Sequence, residues 1–313
     1  MKALIDQHGR QVRKLRLSLT DKCNLRCHYC MPLDATFMNE DRYLSPDEYQ
    51  QIISELCGYG LKELRLTGGE PLLRRSFREI VEKLSPLPLT KIGLTTNGIF
   101  LDKHLPVLWD NRVHHLNISL DSLMAENFTR ITHGNHLPKI LHNIETARKM
   151  NFLVKINVVA MKGINDHEIF DFVEFSREHG IEVRFLELMR IGVACKSQQD
   201  QFISAAEMMA KLQTRHQLKP IVKENDSTSF NYLLDNGAQI GFIASESQAF
   251  CGKCSRWRLS ADGIMRACLL KDDGLSLKTK TANERENIYQ SLLGMKPFQR
   301  PLEVSHFMNE IGG

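Results

Sequence analysis

The sequence predicts an α/β fold: an incomplete (β/α)6 TIM-type barrel followed by a smaller C-terminal α+β domain. Three observations predict it. Between about residues 15 and 190, six short apolar or β-branched runs alternate with helical segments, the pattern of a parallel sheet with right-handed crossovers. The unusual loop motifs all follow the C-terminal ends of those runs, where such folds gather their chemistry. From about residue 195 the alternation gives way to one helix, short strands, turns and a second group of cysteines. The expected division is therefore 1–195 and 196–313.

The first run, Leu15-Arg16-Leu17-Ser18-Leu19, alternates apolar and polar residues and reads as a strand. Cys23, Cys27 and Cys30 occupy the loop that leaves it. Ser45-Pro46-Asp47-Glu48 opens a helix, with serine as cap, proline at the first position and an acid in the first turn. That helix runs to about Cys57 and ends near Gly58 or Gly60. Glu63–Thr67 is the second strand, followed by Gly68-Gly69-Glu70-Pro71 and a helix over Arg75–Lys83. Ile92–Thr95 is the third strand, leading to Thr96-Asn97-Gly98 and a helix near Lys103–Trp109. His115–Ser119 is the fourth, with Ser119–Asp121 at its end. A helix over Leu137–Met150 precedes the β-branched strand Val154–Ala160. Another helix runs from about Gly163 to His179, where Gly180 ends it, and Glu182–Glu187 is the sixth strand. Beyond 195, Ser204–His216 reads as a helix.

Composition narrows the function classes. Of 313 residues, 42% are hydrophobic and 25% charged, ordinary for a globular protein. Lysine and arginine exceed aspartate and glutamate by 41 to 37, a net charge of +4. That excess is too mild to imply nucleic acid, but it does not oppose an anionic small substrate. No apolar run approaches membrane-spanning length, and the N-terminus has no apolar signal core. Eight cysteines in so long a chain do not make a disulfide scaffold. Clustered at short spacing, they point to metal in a reducing compartment, and a cytoplasmic protein is expected.

Two cysteine groups carry the chemistry. Cys23, Cys27 and Cys30 follow C-x3-C-x2-C spacing, and Cys251, Cys254 and Cys268 follow C-x2-C-x13-C. Three soft thiolates suit an iron–sulfur cluster and leave one iron open to a ligand that is not protein. Structural zinc with a distant fourth ligand is the alternative for either group, and the residues alone leave it open. Arg256-Trp257-Arg258 reads as one strand with both guanidiniums on the same face. An isolated pair of that kind would be a solvated strand edge. Beside a three-cysteine site it indicates an anion pocket. Gly68–Pro71 taken alone could be an ordinary strand-to-helix turn, and Met189 a core methionine.

The first loop, with Tyr29 before its last cysteine, resembles the motif of the radical S-adenosylmethionine (SAM) superfamily. The resemblance implies a [4Fe-4S] cluster on Cys23, Cys27 and Cys30 whose open iron binds SAM. One electron then splits SAM to methionine and a 5′-deoxyadenosyl radical. It also implies SAM contacts at Tyr29, Gly69, Ser119 and Met189.

Both cysteine groups together resemble one family over nearly the whole chain, the GTP 3′,8-cyclases of molybdenum cofactor biosynthesis protein A. The likeness rests on Gly9-Arg10, Leu15-Arg16-Leu17-Ser18 into the first loop, Arg65–Pro71, Thr95–Gly98 and Asn117–Asp121. It continues through Val154–Asn157, Arg184-Phe185, Phe250 to Cys268, and the terminal Ile311-Gly312-Gly313. It implies a second [4Fe-4S] cluster on Cys251, Cys254 and Cys268 whose open iron meets guanine. It implies GTP contacts at Arg16, Arg65, Thr95, Lys155, Arg184, Arg256 and Arg258, with Arg256 and Arg258 also taking part in catalysis. The implied product is (8S)-3′,8-cyclo-7,8-dihydroguanosine 5′-triphosphate, in the first step of molybdenum cofactor biosynthesis. An electron-donor protein, a homodimer and entry of Gly312-Gly313 into the active site are implied on the same basis.

Three positions depart from the family pattern. Arg190 stands where an acid is usual, Cys195 follows with a glutamine-rich stretch, and Ser255 replaces a common asparagine. None removes a ligand. Cys57 and Cys195 read as spare thiols. Two other functions fit the same residues: a radical SAM peptide-modifying maturase with an auxiliary cluster, and a non-catalytic, metal-dependent nucleotide-binding module.

Overall fold

Strands and helices alternate as expected in a computed structural model that describes residues 3–222, 226–301 and 307–311. The order is β1 (Lys14–Ser18), α1 (Pro46–Gly58), β2 (Glu63–Thr67), α2 (Phe77–Leu84), β3 (Lys91–Thr96) and α3 (Leu101–Asp110). It continues with β4 (His115–Ser119), α4 (Ala125–Thr132), α5 (Leu137–Lys149), β5 (Leu153–Ala160), α6 (Ile169–His179) and β6 (Glu182–Glu187). Helix α1 starts on a capping box: Glu48 N donates to Ser45 Oγ, and Ser45 N donates to Glu48 Oε2. Helix α6 ends at Gly180 with φ +64°, a left-handed stop that glycine adopts without strain. Helix α4 has no counterpart in the sequence reading.

The remaining elements are α7 (Gln198–Gln201), α8 (Ala205–Gln213), β7 (Leu218–Ile221), β8 (Phe230–Leu234), β9 (Gln239–Ile243), β10 (Arg256–Leu259), β11 (Ile264–Arg266), β12 (Leu275–Ser276), α9 (Ala282–Met295) and α10 (Met308–Ile311). Their strands join the barrel sheet at both edges. One 12-stranded sheet runs β12-β11-β10-β1-β2-β3-β4-β5-β6-β9-β8-β7. β10 lies parallel to β1, and β9 lies parallel to β6. The six expected strands are thus flanked by two further parallel strands supplied by the C-terminal part of the chain.

Side chains alternate across each strand, and this divides the sheet into two faces. Leu15, Leu17, Leu64, Leu66, Leu116 and Ile118 are buried and share one core with helix residues such as Ile52, Ile80, Leu105 and Ile140. The intervening positions Arg16, Arg65, Asn117, Lys155 and Arg184 line the opposite, inner face. Closed barrels of this kind fill that interior with bulky branched side chains. Here it is polar and cationic, and it encloses a cavity of about 910 Å³.

Candidate active site

The cavity runs from the first cysteine loop, beyond the C-terminal ends of the strands, to Lys14 and Lys91 at their N-terminal ends. It is lined by all six clustered cysteines. It is also lined by Tyr29, Gly69, Ser119 and Met189, and by Arg16, Arg65, Thr95, Lys155, Arg184, Arg256 and Arg258. Every candidate ligand and contact residue among the described residues therefore faces one space. Arg190 and Cys195 do not line it. The Arg190 amide donates to Glu246 Oε1 at 3.1 Å, and Glu246 also pairs with Arg300. Gly312-Gly313 lie outside the described residues.

The first loop is fastened on several sides. Arg26 N and His28 N donate to Thr132 O and Ile131 O, each at 3.0 Å, tying the loop to the end of α4. Tyr29 Oη donates to Asp121 Oδ2 at 2.7 Å, while Asp121 Oδ1 accepts from Val159 N at 2.8 Å. Gly69 N donates to Thr20 O at 2.8 Å, so the glycine turn lies against the backbone leading into the loop. A Cβ on Gly69 would stand 2.4 Å from Lys22 O, and only glycine permits that approach. Glu70 is buried and accepts from Asn97 N at 2.7 Å, Thr96 Oγ1 at 2.8 Å and Leu72 N at 3.1 Å. Burial pushes its carboxyl up to about 7.

Burial also pushes Cys23 up to about 11, Cys30 to about 12 and Cys27 well above the usual thiol range. Such thiols ionise only beside positive charge, which a metal cluster provides. Leu25 N approaches Cys23 Sγ at 3.5 Å, the kind of N–H···S contact that supports a thiolate ligand.

The second loop differs in its electrostatics. Burial opposes ionisation of Cys254, but Lys296 and Arg256 outweigh it and hold the thiol below its usual range. Cys251 and Cys268 are pushed up, chiefly by burial. Leu270 N donates to Cys268 Sγ at 3.3 Å. Met189 packs with Cys268, Ile191 and Leu270 in a small apolar patch on this side. Among the described residues no three His, Cys, Asp or Glu side chains converge tightly enough to hold a single metal ion. A four-iron cluster is wider than one ion and asks its thiolates to stand further apart.

Between the two loops, strand register brings cations together. Arg258, Arg16 and Arg65 are direct neighbours across β10, β1 and β2. Like charges opposite one another are unfavourable. Burial, then Arg256 and Arg184, push Arg16 down to about 10. Burial, then Arg16 and Arg184, push Arg65 to about 9, and Arg258 lies well below its usual value, from burial and then Arg16. Arginine keeps its proton in proteins, so these shifts register burial first and then repulsion among neighbouring guanidiniums. Compensation by the protein is partial. Lys155 pairs with Glu182 at 2.8 Å, Arg65 Nη1 donates to Leu94 O and His115 O at 3.1 Å, and Arg256 Nη2 donates to Asp226 O. Arg184 Nη2 is buried without a hydrogen-bond partner among the described residues. A polyanion would meet this field with bidentate guanidinium contacts.

Sequence reasoning missed Lys14, Asn117, Asn157 and Lys296. The first three share the alternating inner-face pattern with the arginines and could have been found by it. Lys296 had no local signal.

Comparison with known proteins places the chain among relatives over its whole length. Residues 17–176 match the model of the radical SAM superfamily, and residues 181–300 match that of Molybdenum Cofactor Synthesis C. The chain is 58% identical to the GTP 3′,8-cyclase of Synechocystis sp. over 312 residues, covering 100% of this chain and 95% of that one. It is 36% identical to the GTP 3′,8-cyclase of Clostridium acetobutylicum, covering 99% and 100%. Among solved structures, Streptococcus suis SuiB bound to S-adenosylmethionine superimposes with a TM-score of 0.65 at 12% identity, over 92% of this chain and 69% of that one. That likeness is one of fold.

Proposed function

The chain belongs to the GTP 3′,8-cyclase family of radical SAM enzymes, and from that premise we propose how its residues divide the reaction. It is a lyase that converts GTP to (8S)-3′,8-cyclo-7,8-dihydroguanosine 5′-triphosphate, the first step of molybdenum cofactor biosynthesis. Its cofactors are SAM and a [4Fe-4S] cluster. We assign that cluster to Cys23, Cys27 and Cys30, and a second [4Fe-4S] cluster to Cys251, Cys254 and Cys268. When bound, the first cluster and SAM supply one-electron cleavage of SAM, and so the radical that takes hydrogen from ribose C3′.

The protein's part is binding and orientation. Tyr29, Gly69 and Ser119 hold SAM beside the first loop, and Met189 meets it from the side of the second. Arg16, Arg65, Lys155 and Arg184, with Thr95, hold the triphosphate and ribose against the inner face. Arg256 and Arg258 stand next to the second loop, where they bind GTP and contribute to the chemistry. Fixing C3′ close to guanine C8 makes ring closure an intramolecular step, a proximity effect. The observation that supports this division is the single cavity lined by both cysteine groups and all six candidate cations.

We further propose a division into a barrel unit, 1–195, and a C-terminal unit, 196–313, that carries the second cluster. An electron-donor protein supplies the reductant, and the enzyme is a cytoplasmic homodimer. None of the eight cysteines is in a disulfide, which agrees with a reducing compartment, and no helix among the described residues is long and apolar enough to cross a membrane. The full-length match to GTP 3′,8-cyclases and the match of residues 181–300 to Molybdenum Cofactor Synthesis C favour the cyclase over the peptide-maturase alternative.

The test uses protein reconstituted anaerobically with iron and sulfide, incubated with SAM, dithionite and GTP deuterated at C3′. Deuterium in the 5′-deoxyadenosine is expected. Deoxyadenosine without deuterium would reject C3′ as the hydrogen donor in this site.

A further inference from the structure

Lys296 follows α9 directly and is only 4% exposed. A buried ammonium needs three acceptors and a counter-charge. Its Nζ donates to Arg256 O at 2.6 Å, to Ala267 O at 3.0 Å and to Cys254 Sγ at 3.4 Å. The three donors are thereby used, and two of the acceptors are neutral carbonyls. Among the described residues no carboxylate pairs with it, so the acceptor within its reach that can carry negative charge is Cys254 Sγ.

The same contacts hold the second loop together. One reaches the arm that carries Cys254 and Arg256, and another reaches the arm that carries Cys268, through its neighbour Ala267. The third arm is fixed by Arg10, which donates to Cys251 O at 2.8 Å and to Lys296 O at 3.0 Å while paired with Asp6. In the first loop the corresponding sulfur contact is a backbone amide, Leu25 N to Cys23 Sγ. The two loops thus differ in one respect that bears on redox chemistry: the second has cations against a sulfur, Lys296 at 3.4 Å and Arg256 at 3.9 Å from Cys254 Sγ, and Lys296 is the nearer.

We propose that Lys296 is a positioning residue for the second cluster, bracing the two arms that bear Cys254 and Cys268 and raising the cluster's reduction potential through its charge. This inference rests on the reading of Cys251, Cys254 and Cys268 as cluster ligands. The physical argument is direct. Reduction adds negative charge to the cluster, and a nearby buried cation, little screened by water, stabilises the reduced state. The consequence is a second cluster more easily reduced than its three thiolates alone would allow.

The experiment uses the full-length chain with Cys23→Ala, Cys27→Ala and Cys30→Ala, so that only the second site can load. It is reconstituted anaerobically with iron and sulfide, then titrated with dithionite while the reduced cluster is followed by electron paramagnetic resonance. If this parent takes up no iron and sulfide, the cluster reading fails and the inference falls with it. If the parent loads, Lys296→Met is expected to load with its midpoint shifted to lower potential, and Lys296→Arg to stay near the parent. An unshifted midpoint in loaded Lys296→Met overturns the inference while the cluster reading stands. Should Lys296→Met fail to load, Lys296→Gln, which keeps a donor without the charge, decides the matter. A lowered midpoint, or failure to load at unchanged melting temperature, supports the inference. A parent-like midpoint overturns it. Unfolding of both variants also overturns it, because the residue would then be a brace for the fold and not for the cluster.

Discussion

The Arg65 guanidinium occupies the space that a side chain on Gly93 would fill: a Cβ there would stand 2.5 Å from Arg65 Nη1. The two residues are direct partners across β2 and β3. The clash is with the end of a flexible side chain, so Gly93→Ala should displace Arg65 and leave the sheet intact. Loss of one charge-assisted contact costs about 1.5–3 kcal/mol, or about 10–150-fold in GTP affinity. Calorimetric titration with GTP, beside a melting curve, checks this. Full affinity in a folded Gly93→Ala would remove Arg65 from the substrate site.

Arg256 has a different expected phenotype. It borders the second loop, with Nη1 at 3.9 Å from Cys254 Sγ, and it shares the cavity with the first loop. Arg256→Ala should abolish cyclisation while SAM cleavage continues, because the radical-generating residues are untouched. Product and 5′-deoxyadenosine are measured in the same reaction. Normal cyclisation would refute the assignment, and loss of both products would mean that the substitution also damages the first site.

Glu70 gives a pH signature. Its carboxyl is raised by burial from 4.5 to about 7 in the folded state. A raised folded pKa contributes stability that is complete below 4.5 and is lost as pH rises through about 7. The span corresponds to about 3 kcal/mol. Glu70→Gln removes this titration, so its melting temperature relative to wild type should rise between pH 5 and pH 8. Measured on metal-free protein, a constant difference across that range would reject burial as the controlling effect.

Much of this architecture was legible from period-two alternation and turn chemistry. Leu15 and Leu17 flank Arg16, and that alternation marks the first strand, but Arg16 and Arg65 entered the candidate site through the family resemblance alone. The pairing itself was not legible. Arg258 lies beside Arg16 only because β10 inserts parallel to β1, a contact between distant segments with no local signal. Helix α4 escaped notice because Met124 before it supplies no side-chain cap and because it ends at His133 with φ +54° instead of at a glycine. Lys296 escaped for another reason. A lysine at a helix end reads as a solvated cation, and only tertiary packing brings it to Cys254.

The arginine row predicts how the fold responds to its substrate. Arg258, Arg16 and Arg65 stand on adjacent strands, and Arg184 adds a buried Nη2 without a described partner. In the absence of an anion their repulsion destabilises the folded state, so a polyanion should stabilise it by both binding and charge relief. Ligand at about 100 times its Kd contributes about 2.7 kcal/mol, which is several degrees of melting temperature for a chain of this size. GTP and inorganic tripolyphosphate should therefore each raise the melting temperature of metal-free protein, and guanosine should raise it less. Added salt should shrink the gain from tripolyphosphate more than that from guanosine, because screening acts on the charged contacts. Equal shifts from GTP and guanosine would mean that the triphosphate does not lie along Arg16, Arg65 and Arg184.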